Sequence, residues 1–198
     1  LNDYLRAAVL LMDVVDVDSN RSNPRYDDAV FYLAESLRYL QNYSESRKYY
    51  ERELPLANGD RLKAIVLGLI EIANATKHFE SVENYVARLR QAGGLSAPEV
   101  DYIHAKTLYL SSGGELSKLD NAYRTFKQVP SGTSVSAQAA YYAGVVRVKQ
   151  NKLAESIPEF QEALGRTGKS EEQKAIRDLA QLSLGRVYFE LGKLPEAV

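Results

Sequence analysis

The chain has 198 residues, 45% of them apolar and 26% charged, a composition typical of a globular protein that buries a core. Its 25 Lys and Arg nearly balance its 26 Asp and Glu, so the net charge is -1 and the basic footprint of a nucleic-acid-binding protein is missing. The absence of cysteine excludes disulfides, thiolate metal sites and cysteine catalysis. No apolar run approaches about 18 residues, so we expect no membrane-spanning helix.

Residues 1–26 are predicted to form an N-terminal helix and a polar loop. The apolar run DYLRAAVLLMDVV (3–15) predicts the helix. The following segment, DVDSNRSNPRYD (16–27), matches the ligand spacing of a calcium-binding EF-hand loop. Its side chains at loop positions 1, 3, 5, 7 and 12 are Asp16, Asp18, Asn20, Ser22 and Asp27. Arg21 stands where such a loop needs glycine, so an ordinary polar loop and a weak calcium site both stay open.

A repeated spacing of small and large residues organises the rest of the chain. LSLGRVYFELGKLPEA (182–197) has a near twin in YYAGVVRVKQNKLAES (141–156), and FYLAESLRYLQNYSESRKYYEREL (31–54) keeps the same frame. A small residue on one helix is followed by a second small residue and then a large one on the next helix, as in Ala34, Ser46 and Tyr50. Small residues allow two helices to approach closely, and large residues on the same face fill the flanks. The first small position of each copy, or its equivalent, is Ala34, Ile70, Ala105, Gly144 and Gly185.

Short turns separate the two helices of a copy, at Gln41-Asn42, Asn151-Lys152 and Gly192-Lys193. This pattern resembles the tetratricopeptide repeat, a helix–turn–helix unit with a period of about 34 residues. The resemblance implies an all-α fold, a right-handed superhelical solenoid of antiparallel helix pairs with about four and a half repeats. The array is expected to span 27–198, with a bend near 90–98 in the RQAGGLSAPE segment. We expect the chain to be cut within its last repeat, and its native start to precede Leu1.

Three copies depart from the pattern. In the third, Ala122 follows Ala105 five positions later than the frame requires, and a loop over 111–121 is predicted to hold the excess. In the fourth, Arg147 takes a usually apolar place, so we expect the neighbouring Val148 to pack instead. Before the fifth, Ser170 and Gln173 form a helix-capping pattern that predicts an N-terminally lengthened helix.

The resemblance also implies a concave groove lined by the first helix of each repeat. The side chains expected to line it are Phe31, Glu35, Leu67, Glu71, Tyr102, Lys106, Tyr141, Lys149, Leu182 and Arg186. This order predicts an acidic first half, a basic second half and an aromatic middle, suited to an amphipathic segment with charged ends. A clamp for a partner's carboxylates, known in some of these repeats, is disfavoured because Glu35 and Glu71 would repel it.

Apart from the calcium alternative at residues 16–27, nothing in the sequence predicts a metal site, a cofactor or catalysis, so we expect no enzyme. His78 and His104 lack converging partners, and the Gly pairs at 93–94 and 113–114 lack the context of a phosphate-binding loop. The favoured function is a scaffold that binds a protein or peptide, with no nucleic acid and no direct membrane insertion. The alternatives are a regulatory or substrate-presenting module of an enzyme outside the fragment, and a spacer that assembles by repeat stacking. Self-association through the exposed C-terminal repeat is also expected.

The repeats are slightly long and carry ELP and QVP turns, at 53–55 and 128–130. In this they resemble tetratricopeptide lipoproteins and the secretion or motility accessories of bacterial envelopes. That resemblance implies a bacterial periplasmic or outer-membrane-associated location.

Overall fold

The computed structural model of the protein describes residues 3–168 and 170–193. Over these residues the chain is all-helical, with ten α-helices, one short 3-10 helix and no strand. The helices form two compact units, divided between Leu95 and Ser96. This division lies inside the segment at which the sequence predicted a bend.

Unit 1 contains the first five α-helices and the 3-10 helix. They are α1 (Tyr4–Val15), the 3-10 helix (Asp18–Ser22), α2 (Tyr26–Tyr39), α3 (Tyr43–Glu53), α4 (Gly59–Ala75) and α5 (Glu80–Gln91). Each α-helix packs on the next, and α2 also contacts α4. Stacking of Tyr4 on Tyr39 places the start of α1 beside the end of α2, so these two helices run antiparallel.

Unit 2 contains the other five helices. They are α6 (Ala97–Ser111), α7 (Leu116–Gln128), α8 (Ser136–Lys149), α9 (Leu153–Arg166) and α10 (Glu171–Glu190). Consecutive helices pack on one another here too, and α8 contacts α10 as α6 contacts α8. Both units therefore have the repeat-like packing of consecutive helices that characterises α-solenoids.

The small residues of the sequence frame lie at close helix contacts in the first and fourth copies. Ala34 on α2 is fully buried, and its carbonyl oxygen accepts a hydrogen bond of 2.8 Å from the hydroxyl of the equally buried Ser46 on α3. On α8, a β-carbon added to Gly144 would lie 2.6 Å from the ring of Phe160 on α9. Both predicted relations of the frame, small to small and small to large, are therefore confirmed as contacts between paired helices.

The same turn ends the first helix of four copies, always seven residues after the frame position. The residues in the left-handed conformation are Gln41, Lys77, Asn151 and Gly192. In each turn, the next amide donates to a carbonyl five residues earlier, as from Asn42 to Leu37 and from Lys152 to Arg147. This hydrogen bond closes the helix end and reverses the chain. The sequence identified three of these turns and missed the one at Lys77.

The third copy departs from this geometry, though less than the sequence predicted. Of the predicted loop over 111–121, only 112–115 lies outside a helix, because α7 already begins at Leu116. Two successive left-handed glycines, Gly113 and Gly114, reverse the chain there. Ala105 and Ala122 are both fully buried, so the longer spacing still brings two small residues into the core.

The predictions for the fourth and fifth copies agree with the structure. Val148 packs against the core around Phe160, as expected from the displaced Arg147. Helix α10 has 20 residues, and the Ser170 hydroxyl accepts a hydrogen bond from the backbone amide of Gln173. The Gln173 side chain bonds instead to the amide of Gly168, so only half of the expected capping box forms. The predicted helix after Gly192 falls on residues 194–198, which lie outside the described residues.

Within the residues that the structure describes, no helix combines the length and the apolarity needed to cross a membrane.

Candidate interaction surfaces

The ten side chains predicted to line one groove are divided between the two units, four in unit 1 and six in unit 2. In unit 1, Phe31 lies half-buried against the Tyr50 ring, with the guanidinium of Arg61 over its own ring at 5.2 Å. Leu67 is partly exposed on α4. The two remaining predicted residues in unit 1 are the acidic Glu35 and Glu71, and both form ion pairs within the unit.

Glu35 and Glu71 both pair with Arg38. The Arg38 guanidinium bonds to Glu35 on its own helix at 2.9 Å and to Glu71 on α4. Glu35 also accepts a hydrogen bond from the buried hydroxyl of Tyr50, and burial together with this bond raises the pKa of that hydroxyl. One guanidinium shared by two carboxylates leaves this cluster with one net negative charge, so the acidic surface expected from the sequence is reduced but not removed. The expectation that these carboxylates would repel a partner's carboxylate therefore stays a prediction.

In unit 2 an aromatic cluster forms around Tyr142, a residue that the sequence analysis did not select. Its ring stacks on the buried Phe126 at 5.7 Å between centroids and lies 6.1 Å from Tyr102 and from Tyr109. The ammonium of Lys106 lies 5.4 Å from the Tyr142 centroid, within the range of a cation–π interaction. Helices α6, α7 and α8 thus bring together two predicted groove residues, Tyr102 and Lys106.

Tyr141, which the sequence placed with Tyr102 in the groove, lies at the edge of this cluster, because its ring is 5.4 Å from the Tyr142 ring in a T-shaped arrangement. Its ring packs on Phe160 at 5.8 Å and against Ala163 of α9 and Ala180 of α10. Adjacent residues of an α-helix are separated by about 100°, and the other ring contacts of the two tyrosines differ: Tyr142 stacks on Phe126 of α7, whereas Tyr141 packs on Phe160 of α9. Tyr141 therefore helps to hold α8, α9 and α10 together while its ring borders the cluster around Tyr142.

Lys149 lies at the edge of a pocket beside this cluster. The pocket has a volume of about 300 Å³ and is lined by Tyr109, Leu110, Ser112, Gly113, Gly114 and Lys149. Three of these lining residues, Ser112, Gly113 and Gly114, belong to the glycine turn between α6 and α7. Lys149 is exposed and makes no ion pair with any residue in the described part of the chain. Burial, with Tyr142 and Tyr141 nearby, raises the pKa of the Tyr109 hydroxyl, so this hydroxyl stays protonated and can donate a hydrogen bond.

The last two predicted positions, Leu182 and Arg186, lie on α10 and are strongly exposed. Arg186 bonds to Glu190 one turn later on the same helix at 3.1 Å. Their equivalents in the frame of α8 are Tyr141 and Val145, which pack against α9 and α10. The exposed face of α10 therefore corresponds to a face that is covered in α8.

A polar network on α7, α8 and α9 was not predicted from the sequence. The guanidinium of Arg147 lies 3.6 Å from the centroid of the Tyr123 ring, whose hydroxyl donates to the buried Glu159 at 2.7 Å. Lys127 pairs with Glu159 at 2.9 Å and with Glu162 at 2.6 Å. This explains how Arg147 occupies an apolar place in the frame, since its planar cation packs as a flat surface on an aromatic ring.

The segment with EF-hand spacing, residues 16–27, contains the 3-10 helix. Several of its polar side chains already pair with nearby residues. Asp18 pairs with Arg21 at 2.8 Å, and the Asn20 amide donates to the carbonyl of Val14 at 2.9 Å.

His78 contacts the hydroxyl of Thr76 at 2.9 Å. Across 3–168 and 170–193, no three His, Cys, Asp or Glu side chains are grouped so that they could hold a metal ion.

No protein-family model matches the sequence, and no curated protein matches it. The repeat spacing, the recurring turn and the helix packing are therefore the observations from which a family and a function are proposed.

Proposed function

We propose that the protein is a tetratricopeptide-like interaction scaffold that binds an acidic, aromatic-containing segment of a partner protein. Five copies of the sequence frame, four of them with the same turn at the same position, support this repeat type and its right-handed superhelix. The binding site in this proposal is the aromatic–basic surface, defined as Tyr102, Lys106, Tyr109, Tyr142 and Lys149. The role is non-catalytic.

The observation that carries the proposal is the placement of two lysines around the Tyr142 cluster. Lys106 lies over the Tyr142 ring, and Lys149 lines the pocket that begins at Tyr109. Half-buried tyrosines supply contact area with little loss of side-chain freedom, and they are enriched among residues that dominate binding energy. Surface lysines attract carboxylates and raise the association rate. A partner segment with an aromatic or apolar anchor flanked by Asp or Glu fits both features.

The clearest test uses random peptides displayed on a surface and selected for binding to the immobilised protein. We expect the selected peptides to be enriched in acidic and aromatic residues. Dissociation constants are then measured at low and high salt for the protein and for the variant Lys106→Glu/Lys149→Glu. We expect this variant to bind at least ten-fold more weakly at low salt, with a smaller difference at high salt because ions screen exposed charges.

The matched control is Lys152→Glu, the same charge reversal at an exposed turn outside the aromatic–basic surface, which should change the dissociation constant less than two-fold. Tyr102→Ala should weaken binding by about 1–3 kcal/mol. Tyr141→Ala should act mainly on the stability of unit 2, because its ring packs inside that unit. Peptides without acidic residues, or equal binding by the double lysine variant, would show that this surface is not the binding site.

A further inference from the structure

The connection between α3 and α4 contains the one asparagine–glycine pair of the sequence, Asn58-Gly59. An asparagine side chain can react with the backbone amide of the next residue, and glycine hinders this reaction least because it has no β-carbon. Both residues are exposed, and a β-carbon added at Gly59 would have no atom within 4 Å. The reacting groups are therefore open to water and are not crowded by neighbouring side chains.

The backbone of Asn58 is held at the end of a helix. Asn58 is the residue before α4 and is extended, and its carbonyl accepts a hydrogen bond from the amide of Leu62 at 3.1 Å. Its side chain caps no backbone amide of α4, although asparagine is a common capping residue. Helix ends fray. Each opening of the Leu62 hydrogen bond lets the Asn58 side chain reach the amide nitrogen of Gly59.

The other asparagines of the described residues are less suited to this reaction. Asn23 precedes a proline, which has no backbone N–H. The Asn20 side chain already donates to a backbone carbonyl at 2.9 Å. Three others lie inside α-helices, where backbone hydrogen bonds hold the chain: Asn74, Asn84 and Asn121. The two at turns are followed by residues that have a β-carbon: Asn42 by Tyr43, and Asn151 by Lys152.

We propose that Asn58 is a self-modification site that converts to aspartate and isoaspartate and loosens the start of α4 as the protein ages. The amide nitrogen of Gly59 loses its proton to solvent base and attacks the side-chain carbonyl carbon of Asn58. The side-chain nitrogen leaves as ammonia, and a cyclic imide remains. Water then opens the ring. Opening at the former side-chain carbonyl gives aspartate, and opening at the main-chain carbonyl gives isoaspartate. Overall, one water is taken up and one ammonia is released, with no oxidant or reductant.

The two products differ in their effect on unit 1. Aspartate keeps the length of the backbone, caps helices as well as asparagine does, and adds a negative charge where the dipole of α4 favours one. Isoaspartate places an extra main-chain carbon before Gly59, so the carbonyl that accepts from Leu62 is displaced. Gly59 also lines a pocket with Leu89 and Gly93, so its displacement reaches the end of α5. The inference concerns unit 1 and does not depend on the aromatic–basic surface.

The test incubates the purified protein in warm neutral buffer for several weeks and follows each asparagine by peptide mapping with mass spectrometry. Replacement of the amide nitrogen by oxygen raises the mass of the peptide, and chromatography separates its aspartate and isoaspartate forms. We expect Asn58 to react at least about ten-fold faster than the other described asparagines, with isoaspartate as the main product. An isoaspartate methyltransferase should label the incubated protein and not the fresh one. Faster reaction at another asparagine, or no gain of mass, would overturn the proposal.

Two glycine variants separate the chemistry from backbone strain. Gly59→Ala adds a β-carbon to the attacking residue, and Gly93→Ala adds one at a second exposed, left-handed glycine of unit 1. Circular dichroism checks that both variants keep their helices. We expect Gly59→Ala to react at least about ten-fold more slowly, and Gly93→Ala to react like the unmodified protein. Equal rates in the two variants would contradict the proposal.

The effect on α4 is measured separately. Ion exchange isolates the isoaspartate form, which carries one more negative charge than the fresh protein. We expect this form to unfold at a lower urea concentration than the fresh protein, because the first turn of α4 is displaced. Asn58→Asp should match or exceed the fresh protein, because it adds the same charge without lengthening the main chain. An isoaspartate form as stable as the fresh protein would show that the modification does not loosen α4.

Discussion

Replacing Gly144 by alanine tests the close contact on which the repeat frame depends. The added β-carbon would lie 2.6 to 2.9 Å from three atoms of the Phe160 ring, closer than atoms of real side chains approach. Overpacking of this kind costs about 1–3 kcal/mol. Alanine also stabilises a helix interior by about 1 kcal/mol relative to glycine. We therefore expect Gly144→Ala to lower the free energy of unfolding by up to about 2 kcal/mol.

The matched control is Gly165→Ala, in the last turn of α9. No atom lies within 4 Å of the β-carbon that would be added there. This variant keeps the gain in helix propensity without the steric cost, so it should be more stable than the unmodified protein by about 0.5 kcal/mol. The two variants carry the same chemical change, and the difference between them measures the contact with Phe160.

Urea denaturation followed by helical circular dichroism measures both variants. Adding Phe160→Leu to Gly144→Ala should remove most of the penalty, because the shorter side chain leaves room for the new methyl group. This coupling between two contacting positions is the quantity that a double-mutant cycle isolates. If Gly144→Ala and Gly165→Ala shift the urea midpoint equally and in the same direction, Phe160 does not pack on Gly144 and the frame is misplaced.

Unit 1 supplies three further predictions. Ser46→Ala should cost about 1 kcal/mol by removing its buried hydrogen bond to Ala34, seen as a lower urea midpoint; an unchanged midpoint would contradict that contact. Gln41→Gly should raise the free energy of unfolding by about 1 kcal/mol, because a left-handed conformation disfavours a side chain, whereas a loss of stability in urea would show that the turn differs. Burial, with Asp27 nearby, raises the pKa of Glu53 to about 7, so folding is favoured when this carboxyl is protonated. Its contribution is present at low pH and lost as pH rises through about 7, and Glu53→Gln should flatten the profile of stability against pH between 4.5 and about 7. A profile as steep as that of the unmodified protein would assign the effect to another group.

Much of the fold could be predicted because the responsible interactions are local. The repeated spacing joins two small residues and one large residue across a single turn. It therefore defines a pair of helices from residues that are close in sequence. Ala34, Ser46, Gly144 and Phe160 all lie in the contacts that this spacing indicated. The extension of α10 could likewise be predicted from the capping residue Ser170. These features are properties of neighbouring residues on one helix or on two helices joined by a short turn.

The charge and the aromatic contacts of the surfaces were decided by tertiary structure. Arg38 pairs with Glu71 from 33 residues away, and no local pattern shows which of several cations will reach a given carboxylate. The rings of Tyr141 and Tyr142 on α8 touch each other, yet Tyr142 stacks on Phe126 of α7 and Tyr141 packs on Phe160 of α9. Sequence spacing therefore determined which helices exist and how they pair. The pairing of charges and the direction of each aromatic ring depended on the neighbours that folding brings to each helix face, because these contacts join residues distant in sequence.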